Sequence, residues 1–155
     1  MPANQEIERK FLLDSLPSQL GQAESSQLRQ GYLSVEDAEV RLRQSDDRYT
    51  LTCKRGDGLV RDEAEIDVSQ SQFETLWPLT SGRRLEKTRY RLPYQGLLIE
   101  IDVYHGILKP LRVAEIEFPD RESSDAFIPP DYFAREVTDD SRYKNRSLCQ
   151  FGVPN

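Results

Sequence analysis

The chain is poor in the residues that build the commonest enzyme centres. It has one histidine (His105), one tryptophan (Trp77), one methionine and two cysteines, Cys53 and Cys149. A His/Cys metal centre needs several such ligands at close spacing, and neither cysteine has a neighbour that would supply them. Two thiols in apolar contexts are also too few for a disulfide framework, so reduced cysteines and a cytoplasmic location are expected. No apolar run approaches the roughly 20 residues that span a bilayer as a helix. Met1-Pro2-Ala3-Asn4-Gln5 lacks the basic-then-apolar pattern of a secretory signal, so no membrane partner is expected. A phosphate-binding loop is missing as well: Gly56-Asp57-Gly58 has neither the Walker spacing nor a following Lys-Ser/Thr. No repeat, low-complexity tract or linker divides the 155 residues, and a single domain over 1–155 is the simplest organisation. The net charge of −6 argues against a broad basic surface for duplex nucleic acid. It leaves room for a small polyanion in an enclosed basic site, because net charge describes the molecule and not a cleft.

What the chain does have is charge, 31% of its residues, set out in a strand-like rhythm. In Glu6-Ile7-Glu8-Arg9-Lys10-Phe11 the residues Glu6, Glu8 and Lys10 are spaced two apart, which places all three on one face of a strand. Similar rows recur. Arg41 and Arg43 flank Leu42; Thr50, Thr52 and Lys54 alternate with Leu51 and Cys53; Glu63, Glu65 and Asp67 alternate with Ala64 and Ile66. Further on, Lys87, Arg89 and Arg91 share a face, as do Glu100 with Asp102 and Glu115 with Glu117. The turns between them are rich in Asp, Ser and Gly. The pattern predicts a mostly antiparallel β-protein of about eight strands, the last of them short, at Glu136-Val137-Thr138.

Three segments change period. Phe73, Leu76 and Trp77 at i, i+3 and i+4 predict a helix from Ser69 to Leu79, with Ser71-x-x-Glu74 as its capping box and the aromatics as core packing. A short helix is expected from Glu122 to Phe127. A last one, capped by Asp139 or Asp140, is expected from Ser141 to about Phe151.

An ordinary solvated sheet face also carries charges, but it mixes their signs. Here the signs are blocked by strand, and like charges side by side weaken a sheet unless something compensates. A site where basic strands hold an anion and acidic strands hold a metal would compensate. Arg grips phosphate with a bidentate fork and Lys with a point charge. Clustered carboxylates suit hard cations such as Mg²⁺ or Mn²⁺, which bridge phosphate oxygens and activate water. His105 lies at a turn and reads as an ordinary turn histidine.

The ordered set of motifs resembles the CYTH superfamily, the triphosphate tunnel metalloenzymes. Glu6-Ile7-Glu8-Arg9-Lys10 matches its ExExK signature. Gln30-Gly31-Tyr32-Leu33, Val40-Arg41-Leu42-Arg43, Leu51-Thr52-Cys53-Lys54 and Arg61-Asp62-Glu63-Ala64-Glu65 follow in order. Lys87-Thr88-Arg89-Tyr90, Glu100-Ile101-Asp102-Val103-Tyr104, Ala114-Glu115-Ile116-Glu117-Phe118, Glu136-Val137-Thr138 and Arg142-Tyr143-Lys144-Asn145 complete the series over nearly the whole chain. The match is to the short, single-domain bacterial members. Lys109-Pro110 stands where such members carry Gly-Leu.

The resemblance implies a mainly β fold of the α+β kind: a closed antiparallel β-barrel tunnel, charged inside, with a few helices packed outside. It implies Mg²⁺- or Mn²⁺-dependent hydrolysis of inorganic triphosphate to pyrophosphate and phosphate. By position, Glu6, Glu8, Asp102, Glu115 and Glu117 would be metal ligands. Lys10, Arg41, Arg43, Lys54, Lys87 and Arg89 would bind substrate, with Arg142 and Lys144 closing the mouth unless they are ordinary helix charges. Lys10 and Lys87 would also stabilise transition-state charge, and Glu63 and Glu65 would orient basic residues or assist a metal-bound water. Arg9 and Arg91 stay outside this set. A class IV-type adenylate cyclase, a nucleotide or thiamine triphosphatase and a non-catalytic polyphosphate-binding module are the alternatives. Dimers are common among similar proteins, so a homodimer is allowed, although no stretch marks an interface.

Overall fold

The computed structural model describes residues 7–56 and 62–155. Glu6, Arg61 and the Asp57-Gly58 part of the expected turn lie outside the described residues. The strands are β1 (Ile7–Leu13), β2 (Glu24–Ser34), β3 (Ala38–Ser45), β4 (Arg48–Arg55), β5 (Asp62–Asp67), β6 (Arg84–Tyr94), β7 (Leu97–Tyr104), β8 (Arg112–Phe118) and β9 (Phe133–Glu136). The helices are α1 (Gln70–Leu76), α2 (Arg121–Ala126) and α3 (Asn145–Phe151). Among the described residues the strands make one nine-stranded antiparallel sheet in the order β5-β4-β3-β2-β6-β7-β8-β1-β9. The antiparallel β architecture expected from alternation is present. Among the described residues the barrel does not close: β5 and β9 are the two ends of the sheet and are not hydrogen-bonded to each other.

Register puts the charged rows on one face, since directly opposite residues in an antiparallel pair point the same way. Lys10 opposes Glu115, Glu115 opposes Glu100, and Glu100 opposes Arg91. On the other half Arg41 opposes Thr52, which opposes Glu65, while Lys54 opposes Glu63. β2 and β6 join the halves, with Leu28 opposite Lys87 and Tyr32 opposite Arg41.

Toward one end, that same face turns apolar. Leu12, Tyr32, Leu85, Tyr104 and Val113 pack there with Leu148 and Cys149 of α3. α3 therefore stoppers the charged face from within, whereas the sequence reading placed every helix outside. The opposite face carries a second core of Phe11, Ile99, Ile101, Ala114, Ile116 and Phe118, covered by Phe127 beside α2 and by Phe133. Phe11 and Phe133 have ring centroids 4.9 Å apart.

α1 lies on this outer face over β2 and β4. Its cap is one pattern earlier than expected. Ser69 accepts from the Gln72 N–H at 3.0 Å and its own N–H donates to the Gln72 side chain at 2.9 Å. Both Ser69-x-x-Gln72 and Ser71-x-x-Glu74 satisfy the capping-box pattern, and the first wins because the helix begins at Gln70. The helix ends at Leu76 and passes into a 3₁₀ turn over Trp77–Thr80 at Pro78. Phe73 is fully buried and stacks on Trp77, and Arg29 lies over both rings at 5.0 and 4.8 Å. The last predicted helix also divides. Asp140 caps a 3₁₀ turn over Ser141–Tyr143, and α3 follows from Asn145. The ninth strand ends at Glu136, after which Val137 and Thr138 still bond the Lys10 backbone at 2.8 and 3.0 Å. No helix among the described residues is long and apolar enough to cross a membrane.

Gly31 marks a close approach. A Cβ there would meet the Cβ and Oγ1 of Thr80 at 2.6 Å, and Thr80 is wholly buried. Gly31→Ala is expected to push the 3₁₀ turn off β2 and cost about 1–3 kcal/mol, read as a lower urea midpoint. An unchanged midpoint would mean that the turn does not hold this position in solution.

Candidate functional site

Because the sheet curls, strands far apart in its order face a common space. A cavity of about 290 Å³ is lined by Glu8 and Lys10 of β1, Glu115 and Glu117 of β8, and Glu100 of β7. Arg89 of β6, Tyr32 of β2, Glu39, Arg41 and Arg43 of β3, and Lys54 of β4 form the rest of the strand lining. Lys144, Asn145 and Arg146 complete it from the start of α3 and the residue before. β1 and β8 thus make an acidic wall and β3, β4 and β6 a basic one.

Of the residues expected from sequence, the structure brings Glu8, Lys10, Arg41, Arg43, Lys54, Arg89, Glu115, Glu117 and Lys144 to this cavity. It does not bring Asp102 or Lys87 there. Both are buried behind Arg89: Lys87 Nζ donates to Asp102 Oδ2 at 2.8 Å, and Arg89 donates to Asp102 Oδ1 and Oδ2 at 2.8 and 3.0 Å. Asp102 thus already accepts three charge-assisted hydrogen bonds on its two oxygens and faces two cations where a metal ligand would face a metal. Glu63 and Glu65 are on the exposed end strand β5, where Glu65 accepts from Thr52 Oγ1 at 2.7 Å. Arg142 is exposed and paired with Asp140 at 2.7 Å beside a separate surface depression. It sits in the middle of the 3₁₀ turn over Ser141–Tyr143, held there by the Asp140 carboxylate.

Tyr32, Glu39, Glu100, Asn145 and Arg146 also line the cavity, although the sequence reading gave none of them a role in the site. Glu100 had a signal: it shares the alternation of Asp102, and only register shows that it opposes Glu115 while Asp102 opposes Val113. His105 is away from the cavity, its Nε2 2.7 Å from Thr88 Oγ1.

The basic wall is preorganised. Arg43 is half-buried, and its Nε donates to the buried Gln30 side chain at 3.0 Å. Burial, with Arg41 and Arg89 nearby, pulls its guanidinium down to about 10. Arg41 Nε is buried without a hydrogen-bond partner, an orphaned donor in a site otherwise rich in cations. Leaving such a donor unmet costs free energy, and an anion in the cavity would satisfy it. On the acidic wall Lys10 Nζ is 3.0 Å from Glu115. Burial, then the neighbouring charges of Glu115 and Glu117, push the Glu8 carboxyl up to about 7 against the pull of Lys10.

Comparison with known proteins identifies the family. The model of the CYTH domain matches residues 4–135. The chain belongs to the CYTH domain family. An inorganic triphosphatase of Nitrosomonas europaea is 50% identical over 148 residues, covering 93% of this chain and 96% of the relative. An inorganic triphosphatase of Acetivibrio thermocellus is 36% identical, covering 94% and 93%. A crystal structure of an inorganic triphosphatase, 45% identical, superposes with a TM-score of 0.80 and 97% of each chain covered.

A CYTH site implies a divalent cation. The donor set suits one in kind: Glu8, Glu115 and Glu117 offer carboxylate oxygens, and burial, then the charges of Glu115 and Glu117, keeps Glu8 from ionising, a situation a hard cation relieves. As the side chains stand, no three acidic, His or Cys groups among the described residues converge on one point. Lys10 already holds Glu115.

Proposed function

We propose that this protein hydrolyses inorganic triphosphate to pyrophosphate and phosphate, with Mg²⁺ or Mn²⁺ at Glu8, Glu115 and Glu117. The observation that carries this is the two-walled cavity, in which the orphaned Nε of Arg41 looks for an anion beside carboxylates that look for a cation. The 50% identity to an inorganic triphosphatase supports it. At about 290 Å³ the cavity is at the small end for ligand sites, and among the described residues its one aromatic lining residue, Tyr32, is buried and offers a base little face to stack on. A bare polyphosphate fits this chemistry better than a nucleotide.

In this reading Arg41, Arg43, Lys54 and Arg89 hold the phosphate chain, and Lys10 and Lys144 join them from β1 and the C-terminal segment. A water oxygen bonds to a terminal phosphorus and gives up a proton to solvent as the bridging P–O bond breaks, and pyrophosphate leaves with the electron pair of that bond. The arginines and lysines meet the charge on the equatorial and leaving oxygens in a site where that charge is poorly screened. A divalent cation bound to the acidic wall supplies charge neutralisation and a more acidic water. Lys87 and Asp102 act one layer back by fixing Arg89, and Glu63, Glu65 and Arg142 have no part in the reading. The test is turnover of inorganic triphosphate with metal or chelator, with products resolved by ion chromatography. One pyrophosphate and one phosphate per triphosphate are expected, and stepwise release of three phosphates would contradict the reaction.

The metal assignment carries a pH signature. Glu8 must be ionised to bind a cation, and its carboxyl titrates near 7 in the metal-free fold instead of near 4.5. A raised carboxyl contributes stability that is complete below its unfolded value and is lost as pH rises through the folded one. The metal-free protein therefore loses this contribution between about pH 4.5 and 7, and Mn²⁺ restores most at the alkaline side. The rise in Tm on adding Mn²⁺ is expected to be larger at pH 8 than at pH 6. An equal rise at both would remove Glu8 from the ligand set.

A further inference from the structure

Two cations reach the cavity from outside the sheet. Lys144 and Arg146 come from a segment beyond residues 4–135, the part that matches the family. That segment is fixed on both sides of Arg146. Lys10 Nζ donates to the Tyr143 carbonyl at 3.2 Å, and the Tyr104 hydroxyl donates to Asn145 Oδ1 at 2.6 Å. Two residues further on, Leu148 is fully buried and Cys149 nearly so. Arg146 is half-buried at the cavity wall and makes no ion pair among the described residues. The other arginine of this segment, Arg142, is exposed and neutralised by Asp140. A guanidinium drawn partly out of water without a counter-charge is unfavourable unless an anion meets it, and its planar fork matches two phosphate oxygens.

We propose that Arg146 is a further substrate-binding residue, which grips the phosphate chain from the C-terminal segment and not from the sheet. This rests on the triphosphatase reading. The strand rows then supply only part of the anion site, and α3, besides stoppering the sheet, carries one of its arginines.

The experiment compares steady-state turnover of inorganic triphosphate by the wild type, Arg146→Ala, Arg146→Lys and Arg121→Ala, whose residue lies on α2 over the outer face. Each variant's Tm is recorded beside its kinetics. Arg146→Ala is expected to raise KM about tenfold, the scale of one charge-assisted contact, with kcat within about threefold and Tm unchanged. Arg146→Lys should recover part of the loss, since it keeps the charge without the fork. Arg121→Ala should behave as wild type. A wild-type KM in Arg146→Ala, with the wild type itself active, overturns the assignment of Arg146 and leaves the triphosphatase reading intact. No turnover by the wild type overturns both. If Arg146→Ala does not fold, Arg146→Lys alone decides: a several-fold rise in KM supports the proposal and a wild-type KM refutes it.

Discussion

Asp102→Ala is expected to destabilise the protein by about 3–5 kcal/mol in urea unfolding at neutral pH, because it strands the buried ammonium of Lys87 and leaves the half-buried Arg89 with Glu100 alone. Lys87 is fully buried, and Asp102 lies 2.8 Å from its Nζ and takes two hydrogen bonds from Arg89. Burial opposes the charge on Asp102, but Lys87 and Arg89 outweigh it and hold the carboxyl well below its usual range. Burial draws the Lys87 amine down to about 8 even with Asp102 pulling the other way. Without Asp102 the amine would lose its counter-charge and release its proton more readily, and Arg89, which also reaches Glu100 at 3.4 Å, would lose the bonds that aim it at the cavity. Loss of turnover should accompany the loss of stability. The outcome separates two roles for this residue. A metal ligand would, on removal, cost cation affinity and leave the metal-free fold as stable as before; a buried counter-ion costs stability with no metal present. Retention of wild-type stability in the chelated protein would return Asp102 to the ligand set.

Glu8→Gln should do the reverse. It is expected to lower metal-dependent triphosphate turnover by about 100-fold or more, by removing a charged donor from the acidic wall. It should at the same time raise the Tm of the metal-free protein at pH 8. Burial, Glu115 and Glu117 make the ionised Glu8 unwelcome in the metal-free fold, so an uncharged glutamine of the same shape relieves a cost that builds up from about pH 4.5 and is complete above about pH 7. At about pH 4 and below the two proteins should melt together, because Glu8 is then largely protonated in the folded and the unfolded state alike. A gain of stability with loss of function is the signature of a residue kept for its chemistry. Full activity in Glu8→Gln, or a lower Tm at pH 8, would show that its carboxylate serves the fold.

The sequence showed the faces of the strands well and their depth poorly. Alternation alone put Glu8 with Lys10, Arg41 with Arg43 and Glu115 with Glu117 on the same side, and register places them on one face of one sheet. A period of two says which side a residue points to; it does not say whether the position is at the cavity or under the stopper. Lys87, Arg89 and Arg91 read alike in sequence. Yet Lys87 opposes Tyr104 and is buried, Arg89 opposes Asp102 and borders the cavity, and Arg91 opposes Glu100 and bonds Ser26 at 3.0 Å. The same shift of one rung exchanged Asp102 for Glu100. Closure of the barrel was likewise out of reach, since alternation is identical in a closed and an open sheet and only the partner of β5 distinguishes them. Arg146 carries no periodic signal. It reaches the cavity because Leu148 and Cys149 seat α3 on the apolar end of the charged face, a contact between segments more than a hundred residues apart from Tyr32 and its neighbours in β2.

The most direct test of the two-walled site is phosphate release from inorganic triphosphate and ATP, side by side, with Mg²⁺, Mn²⁺ or chelator. The account predicts turnover only with metal and far faster for inorganic triphosphate, because the cavity has a basic wall suited to phosphates and its described lining offers little face for a base. Equal or faster turnover of ATP, or turnover that survives the chelator, would contradict it.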